Sequence, residues 1–231
     1  MYLSKIFEKI ISLRDKYIHL INDASYYTEK DGDTLNIYFE WSNGKLDWLN
    51  NFKFAAVSVT KVGKPYKDMP SPWKAHRGFL SVWKVIEFHI KEQILDPSIK
   101  NIRIAGYSHG AAIALLCHEY CRFNRPDCDV LGYGFGCPRV VWGKPSKEVL
   151  ARFDGFTVVR CGCDIVTYVP PKVFGYIDVG RMLHIGQGQG HNPIDSHRDH
   201  IILSELNKIE QSNYDTCPKM FGWDGGEMND T

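Results

Sequence analysis

The sequence has no surplus of either charge: 28 basic residues stand against 27 acidic ones, a net of +1. That balance removes the cationic footprint a nucleic-acid binder needs and argues against any strongly charged partner. A long apolar run near the start is also missing. Lys5, Glu8, Lys9, Arg14, Asp15 and Lys16 interrupt the apolar residues of 1–21, so that stretch reads as neither a secretory signal nor a membrane span. A recognisable cysteine pattern is missing as well. The seven residues are an odd number, and pairs such as Cys117 with Cys121 or Cys161 with Cys163 match no zinc pattern and no disulfide framework. Reduced thiols are expected, and with them a reducing, cytoplasmic setting. There is no internal repeat and no linker, and 231 residues suit one domain with a large core.

The patterning that is present alternates strand with helix. Leu3, Phe7, Ile10, Ile11, Tyr17 and Ile21 recur at helical spacing and predict an amphipathic packing helix over about 3–22. Asp33 to Trp41 alternates like a half-buried strand, and Ala55 to Thr60 reads as another. Gly78 to Leu95 predicts a long helix closed by Pro97. Asp129 to Phe135 and Phe156 to Cys161 read as strands, with Ser146 capping a short helix through Phe153. Tyr176 to Ile185 suggests a two-stranded return, His197 to Lys208 a last helix, and 224–231 a disordered tail. This succession predicts an α/β fold with a mostly parallel sheet covered on both faces, whose ligands gather at the carboxyl ends of the strands.

One stretch carries chemistry. Ile102 to Ile104 is a β-branched run, Ala111 to Leu116 starts an apolar helix, and between them lies Gly106-Tyr107-Ser108-His109-Gly110. A G-x-S-x-G sequence in that context is a nucleophile elbow: its glycines leave room for a sharp turn that exposes the serine. The helix behind it aims its N-terminus, with the amide of His109, at charge developing on the serine side. A serine hydroxyl needs an imidazole to take its proton and a carboxylate to orient that imidazole. Asp164 follows a predicted strand, as Ser108 does. His197, His200 and His191 compete for the base, and His184 reads as a satisfied core residue. The same His/Asp-rich stretch, His191 to His200, admits a metal site, although no strong zinc spacing supports it.

Beyond the elbow, His76-Arg77-Gly78-Phe79, Phe135-Gly136-Cys137-Pro138-Arg139, and Asp164-Ile165-Val166 leading to Pro170-Pro171 follow in order. With these motifs the chain resembles the fungal-type class 3 lipases of the α/β-hydrolase fold, from about Asp33 to Leu206. The resemblance implies Ser108 as nucleophile, Asp164 as orienting acid and His197 as base. It further implies Ser42, with the amide of His109, as the oxyanion hole, although Glu40-Trp41-Ser42 stands where the family has R-G-[ST]. Asn43 to Phe52 matches the family's lid, with Trp48 and Leu49 as its apolar residues and Tyr107 beside the substrate. Tyr66, Met69, Trp73 and the lysines at 61, 64, 67 and 74 extend that region toward a lipid interface. His76, Phe135 and Arg139 read as scaffold. The implied activity is hydrolysis of acyl esters of lipids, with transient contact to a membrane or lipid interface and with no cofactor or metal. An inactive lipid-binding member of the fold is the alternative.

Overall fold

The computed structural model describes residues 2–21, 24–41, 55–62, 72–187, 190 and 192–212. In chain order its helices are α1 (Leu3–Ser12), α2 (Arg77–Ile94), α3 (His109–Asn124), α4 (Lys147–Ala151) and α5 (Asp199–Ser212). The strands are β1 (Ile18–His19), β2 (Ser25–Asp31), β3 (Thr34–Phe39), β4 (Ala56–Ser58), β5 (Lys74–His76), β6 (Asn101–Tyr107), β7 (Asp129–Phe135), β8 (Val141–Trp142), β9 (Phe156–Cys161), β10 (Tyr176–Ile177) and β11 (Arg181–Ile185).

The main sheet runs β1-β2-β3-β6-β7-β9-β11, parallel from β3 onward, with β1 and β2 added antiparallel at one edge. A second, small sheet, β10-β8-β5-β4, is antiparallel throughout. Side chains of the main sheet alternate between two cores, as the two-residue period of a strand requires. Leu35, Ile37, Ile102, Ile104, Phe156 and Val158 face one core, which α2, α3 and the small sheet complete. Tyr38, Ala105, Tyr107, Tyr133, Phe135, Val159 and Cys161 face the other, against α1 and α5. Helix α3 is buried nearly all round, from Gly110 to Cys121, as expected of an apolar helix pressed on the middle of a sheet. This is the α/β-hydrolase arrangement expected from the sequence.

Several expectations are corrected. The helix expected over 3–22 ends at Ser12; a turn at Arg14–Lys16 follows, and Ile18 and His19 pair with Tyr26 and Ser25. The Tyr17 hydroxyl donates to Ile10 O at 3.1 Å, and Ile18 and Ile21 lie exposed with no core to meet. Strand β3 is buried from Leu35 to Phe39 rather than half-buried, because both of its neighbours are strands and both of its faces are covered. Tyr176 to Ile185 is no hairpin. Tyr176 and Ile177 join the small sheet, whereas Arg181 to Ile185 forms the parallel edge of the main one. On that edge strand His184 is exposed, not a core residue. Trp73, expected at the surface, is buried edge-on against Phe153 at 5.5 Å. Lys74 lies over the Trp142 ring at 4.5 Å, where its charge is partnered by the ring face. Residues 43–52, Tyr66, Met69, Lys64, Lys67 and the tail 224–231 lie outside the described residues.

Candidate active site

The elbow is built by crowding. Ser108 has φ 55° and ψ −120°, the left-handed region that costs a non-glycine residue about 1–3 kcal/mol. It is the one non-glycine residue with positive φ among those described. A Cβ on Gly106 would stand 2.3 Å from Gly110 O, and one on Gly110 would stand 2.4 Å from Phe39 O. Only glycines let the end of β6 pass this close to the start of α3, and α3 this close to the end of β3. The turn is tied down by the Ser108 N–H, which donates to Phe135 O at 2.9 Å and continues the β6–β7 ladder.

Asp164 follows β9 and is fully buried. Both carboxylate oxygens are used. Oδ1 accepts the Val166 N–H at 2.9 Å, capping the turn Ile165–Tyr168, and Oδ2 lies 2.9 Å from Nδ1 of His197. The loop beyond is clasped from β9 and its neighbours. Arg139 Nε donates to Asp178 at 2.8 Å and its Nη1 to Tyr168 O and to Pro170 O, while Arg160 Nη2 donates to Thr167 O at 3.2 Å. Partial burial pushes the Asp178 carboxyl up, but hydrogen bonds from Lys172 and Arg139 outweigh it and leave its pKa lowered. Arg139 is therefore scaffold in a specific sense: it holds the loop that carries Asp164.

His197 lies in a turn, Asp195–His197, just before α5 rather than in the helix. Its Nε2 is 2.8 Å from Ser108 Oγ. The structure thus joins Ser108, His197 and Asp164 in one buried hydrogen-bonded line, drawn from three separate loops. Of the competing histidines, His200 is not in it. His200 is exposed beside Asp199 at 3.5 Å, and His191 lies outside the described residues.

One residue of this arrangement escapes a reading of chemistry alone. Gly136 has φ +58°, and a Cβ there would meet His197 Cε1 and Nδ1 at 2.8 Å and Asp164 Oδ2 at 3.0 Å. The imidazole rests on the bare backbone at the end of β7, the strand lying between β6 and β9. The signal was in the sequence, inside Phe135-Gly136-Cys137-Pro138-Arg139.

His109 opens α3, so its amide belongs to the first turn, whose N–H groups point out from the helix end. Ser42, Trp48 and Leu49 fall outside the described residues. Where the sequence departs from R-G-[ST], Glu40 is buried with its carboxylate 3.3 Å from His19 Nδ1, and the Trp41 ring packs 5.9 Å from that of Tyr107. Tyr107 is not placed as a substrate residue. Strand parity turns its side chain to the α1 and α5 face, where it is buried and donates its hydroxyl to His197 O.

Residues 37–174 match the lipase (class 3) family. The chain belongs to the class 3 lipases. The lipase of Rhizomucor miehei is 29% identical over 158 residues, which cover 64% of this chain and 40% of that one. Phospholipase A1-II 7 of Oryza sativa subsp. indica is 28% identical over 171 residues, covering 61% and 41%. The chain thus spans about two fifths of the length of these curated relatives. Among solved structures, the Rhizomucor miehei lipase propeptide complex superposes with a TM-score of 0.60 at 21% identity, covering 82% of this chain and 67% of that one. That likeness is one of fold.

Proposed function

We propose that this class 3 lipase chain is a serine hydrolase of carboxylic esters, with Ser108 as nucleophile, His197 as general base and Asp164 as the acid that orients it. The observation that carries the reading is the unbroken line from Ser108 Oγ to His197 Nε2 at 2.8 Å and from His197 Nδ1 to Asp164 Oδ2 at 2.9 Å. Asp164 fixes the tautomer with the proton on Nδ1, leaving Nε2 to accept. Ser108 Oγ attacks the ester carbonyl as its proton passes to Nε2, and the imidazolium that forms is stabilised by the buried carboxylate. The tetrahedral oxyanion lies toward the start of α3, where the His109 amide and, in this reading, Ser42 donate to it. Nε2 then gives its proton to the departing alcohol, which leaves a Ser108 acyl ester. Water repeats the sequence in the second half: Nε2 takes its proton, its oxygen attacks the acyl carbon, and the released Ser108 oxygen regains a proton from Nε2.

The lipid character of the substrate and a transient interface contact are part of the same proposal. The relatives are named lipase and phospholipase. Ile165, Tyr168, Val173, Phe174 and Ile194 are exposed in the two loops that present Asp164 and His197, an apolar rim suited to a lipid surface. A reducing, cytoplasmic setting is likewise proposed, on the odd cysteine number and the lack of a disulfide framework in the sequence. Ser108→Ala is the test of the chemistry. It should abolish turnover of p-nitrophenyl esters and covalent labelling by a fluorophosphonate; turnover retained in the variant would place the nucleophile elsewhere.

A further inference from the structure

We propose that Tyr107 is the positioning residue of the catalytic imidazole and that α1 is the buttress holding it, an inference that rests on His197 being the base. The Tyr107 hydroxyl donates to the backbone carbonyl of His197 itself. Its ring lies against the His197 ring, with centroids 5.2 Å apart and planes 32° from each other. Tyr107 therefore touches both the main chain and the side chain of the base. A histidine in a short turn has two loose torsions and a mobile backbone. One hydrogen bond to its carbonyl and one ring contact restrict both, so that Nε2 stays on Ser108 and Nδ1 on Asp164 together.

Tyr107 is itself clamped. Phe7 of α1 meets it edge-on at 5.3 Å and 86°, and also packs 4.8 Å from Phe135, the last residue of β7. Trp41 closes another side at 5.9 Å. Helix α1 is in turn tied to α5, the helix that His197 leads into: the Ser4 N–H donates to Glu210 at 3.1 Å, and the Ser4 hydroxyl bonds the same carboxylate. The N-terminal helix, which lies outside the residues matched by the family, thus grips the base from both directions. Burial, followed by the charges of Asp199 and Asp164, pushes the Tyr107 phenol far above its ordinary range, so the hydroxyl remains a donor wherever the enzyme works.

Tyr107→Phe deletes the hydroxyl and leaves the ring. With active sites counted by fluorophosphonate titration, kcat should fall on the order of tenfold or more, while KM stays within about twofold. The rate of fluorophosphonate labelling should fall in parallel, and the downfield proton resonance of His197 Nδ1–H should broaden as the ring gains freedom. Phe7→Leu, which keeps apolar bulk but loses the edge contact, should give a smaller fall of the same kind, and the two losses should not add. A variant lacking the hydroxyl with unchanged kcat overturns the proposal. A loss confined to KM also overturns it, because Tyr107 would then be touching substrate. If Tyr107→Phe does not fold, Phe7→Leu decides alone, and unchanged kcat there is the overturning result. Ser108→Ala separates the two levels: activity surviving in it defeats the triad reading, whereas its loss alongside a silent Tyr107→Phe defeats only the buttress.

Discussion

At the scale of single residues the site depends as much on what is missing as on what is present. The ring of His197 occupies the space a side chain at Gly136 would fill. Gly136→Ala should displace the imidazole and strain a left-handed backbone, lowering kcat/KM by on the order of a hundredfold and stability by about 1 kcal/mol or more. Steady-state kinetics and thermal melting measure the two losses separately, and a larger loss in kcat/KM than the melting shift accounts for is the expected outcome. Asp164→Asn acts differently. Its amide oxygen can keep the Val166 N–H, which turns the amide NH2 toward Nδ1 and moves the imidazole proton to Nε2, where it can no longer accept from Ser108. Activity should fall by roughly four orders of magnitude with the fold intact, as judged by an unchanged circular dichroism spectrum. Ser108 was legible from its elbow and Asp164 from its place after a strand, whereas His197 was set apart from His200 and His191 only by the family resemblance. The roles of Gly136 and Tyr107 were not legible, although both residues stand in the motifs, since a seat and a brace are defined by residues far along the chain: His197 for both, Asp164 for Gly136 and Phe7 for Tyr107.

Among the secondary-structure elements, those that carry long apolar runs were read closely. Strands β7 and β9, helix α2 and the β6-turn-α3 unit fall where the pattern puts them. The small sheet was largely illegible because strands of two or three residues, such as β8 and β10, are too short to show a period and exist only through their partners. Helix α1 was over-extended for the opposite reason: Ile21 continues its period although it lies exposed, with no core beneath it. Elements are also joined by charge. Arg152, just past α4, donates to Glu119 on the inner face of α3 at 2.7 Å, and that carboxylate is fully buried. Arg152→Met leaves a charge without its buried cation and should cost about 3–5 kcal/mol, read as a shift in the urea midpoint at unchanged m-value. Replacing both partners with apolar residues should restore most of the loss. The exposed rim supports another expectation: Val173→Asp combined with Phe174→Asp should cut activity on emulsified esters severalfold and leave a soluble p-nitrophenyl ester unaffected, with vesicle co-sedimentation falling in step.

For the molecule as a whole, two buried imidazoles set its response to acid. Burial lowers the pKa of His118, packed on Phe156 at 5.4 Å inside the core, to about 3. Burial, and then the neighbouring His109, lowers that of His76 to about 4. Both shifts are depressions from 6.5, so folding favours the neutral rings. Their contribution is complete above the unfolded value and is lost as pH falls below it, at about 1.4 kcal/mol per pH unit for each ring. Thermal midpoints should therefore hold from pH 8 to 7 and drop steeply between pH 6 and 4, and His118→Gln should flatten that drop.

The strand order β6, β7, β9 has a last consequence. Two steps across a parallel sheet measure about 9.6 Å, and a single imidazole with a hydrogen bond at each end bridges the loops leaving the outer two. The sheet works as a ruler: the amides of Ser108 and Gly136 pair with Phe135 and Val159 across its two divisions. Remodelling of the surrounding loops can then change what is cut without changing the distance at which cutting happens. On heating, deuterium should enter those two amides at the temperature where hydrolysis stops, and at no lower one.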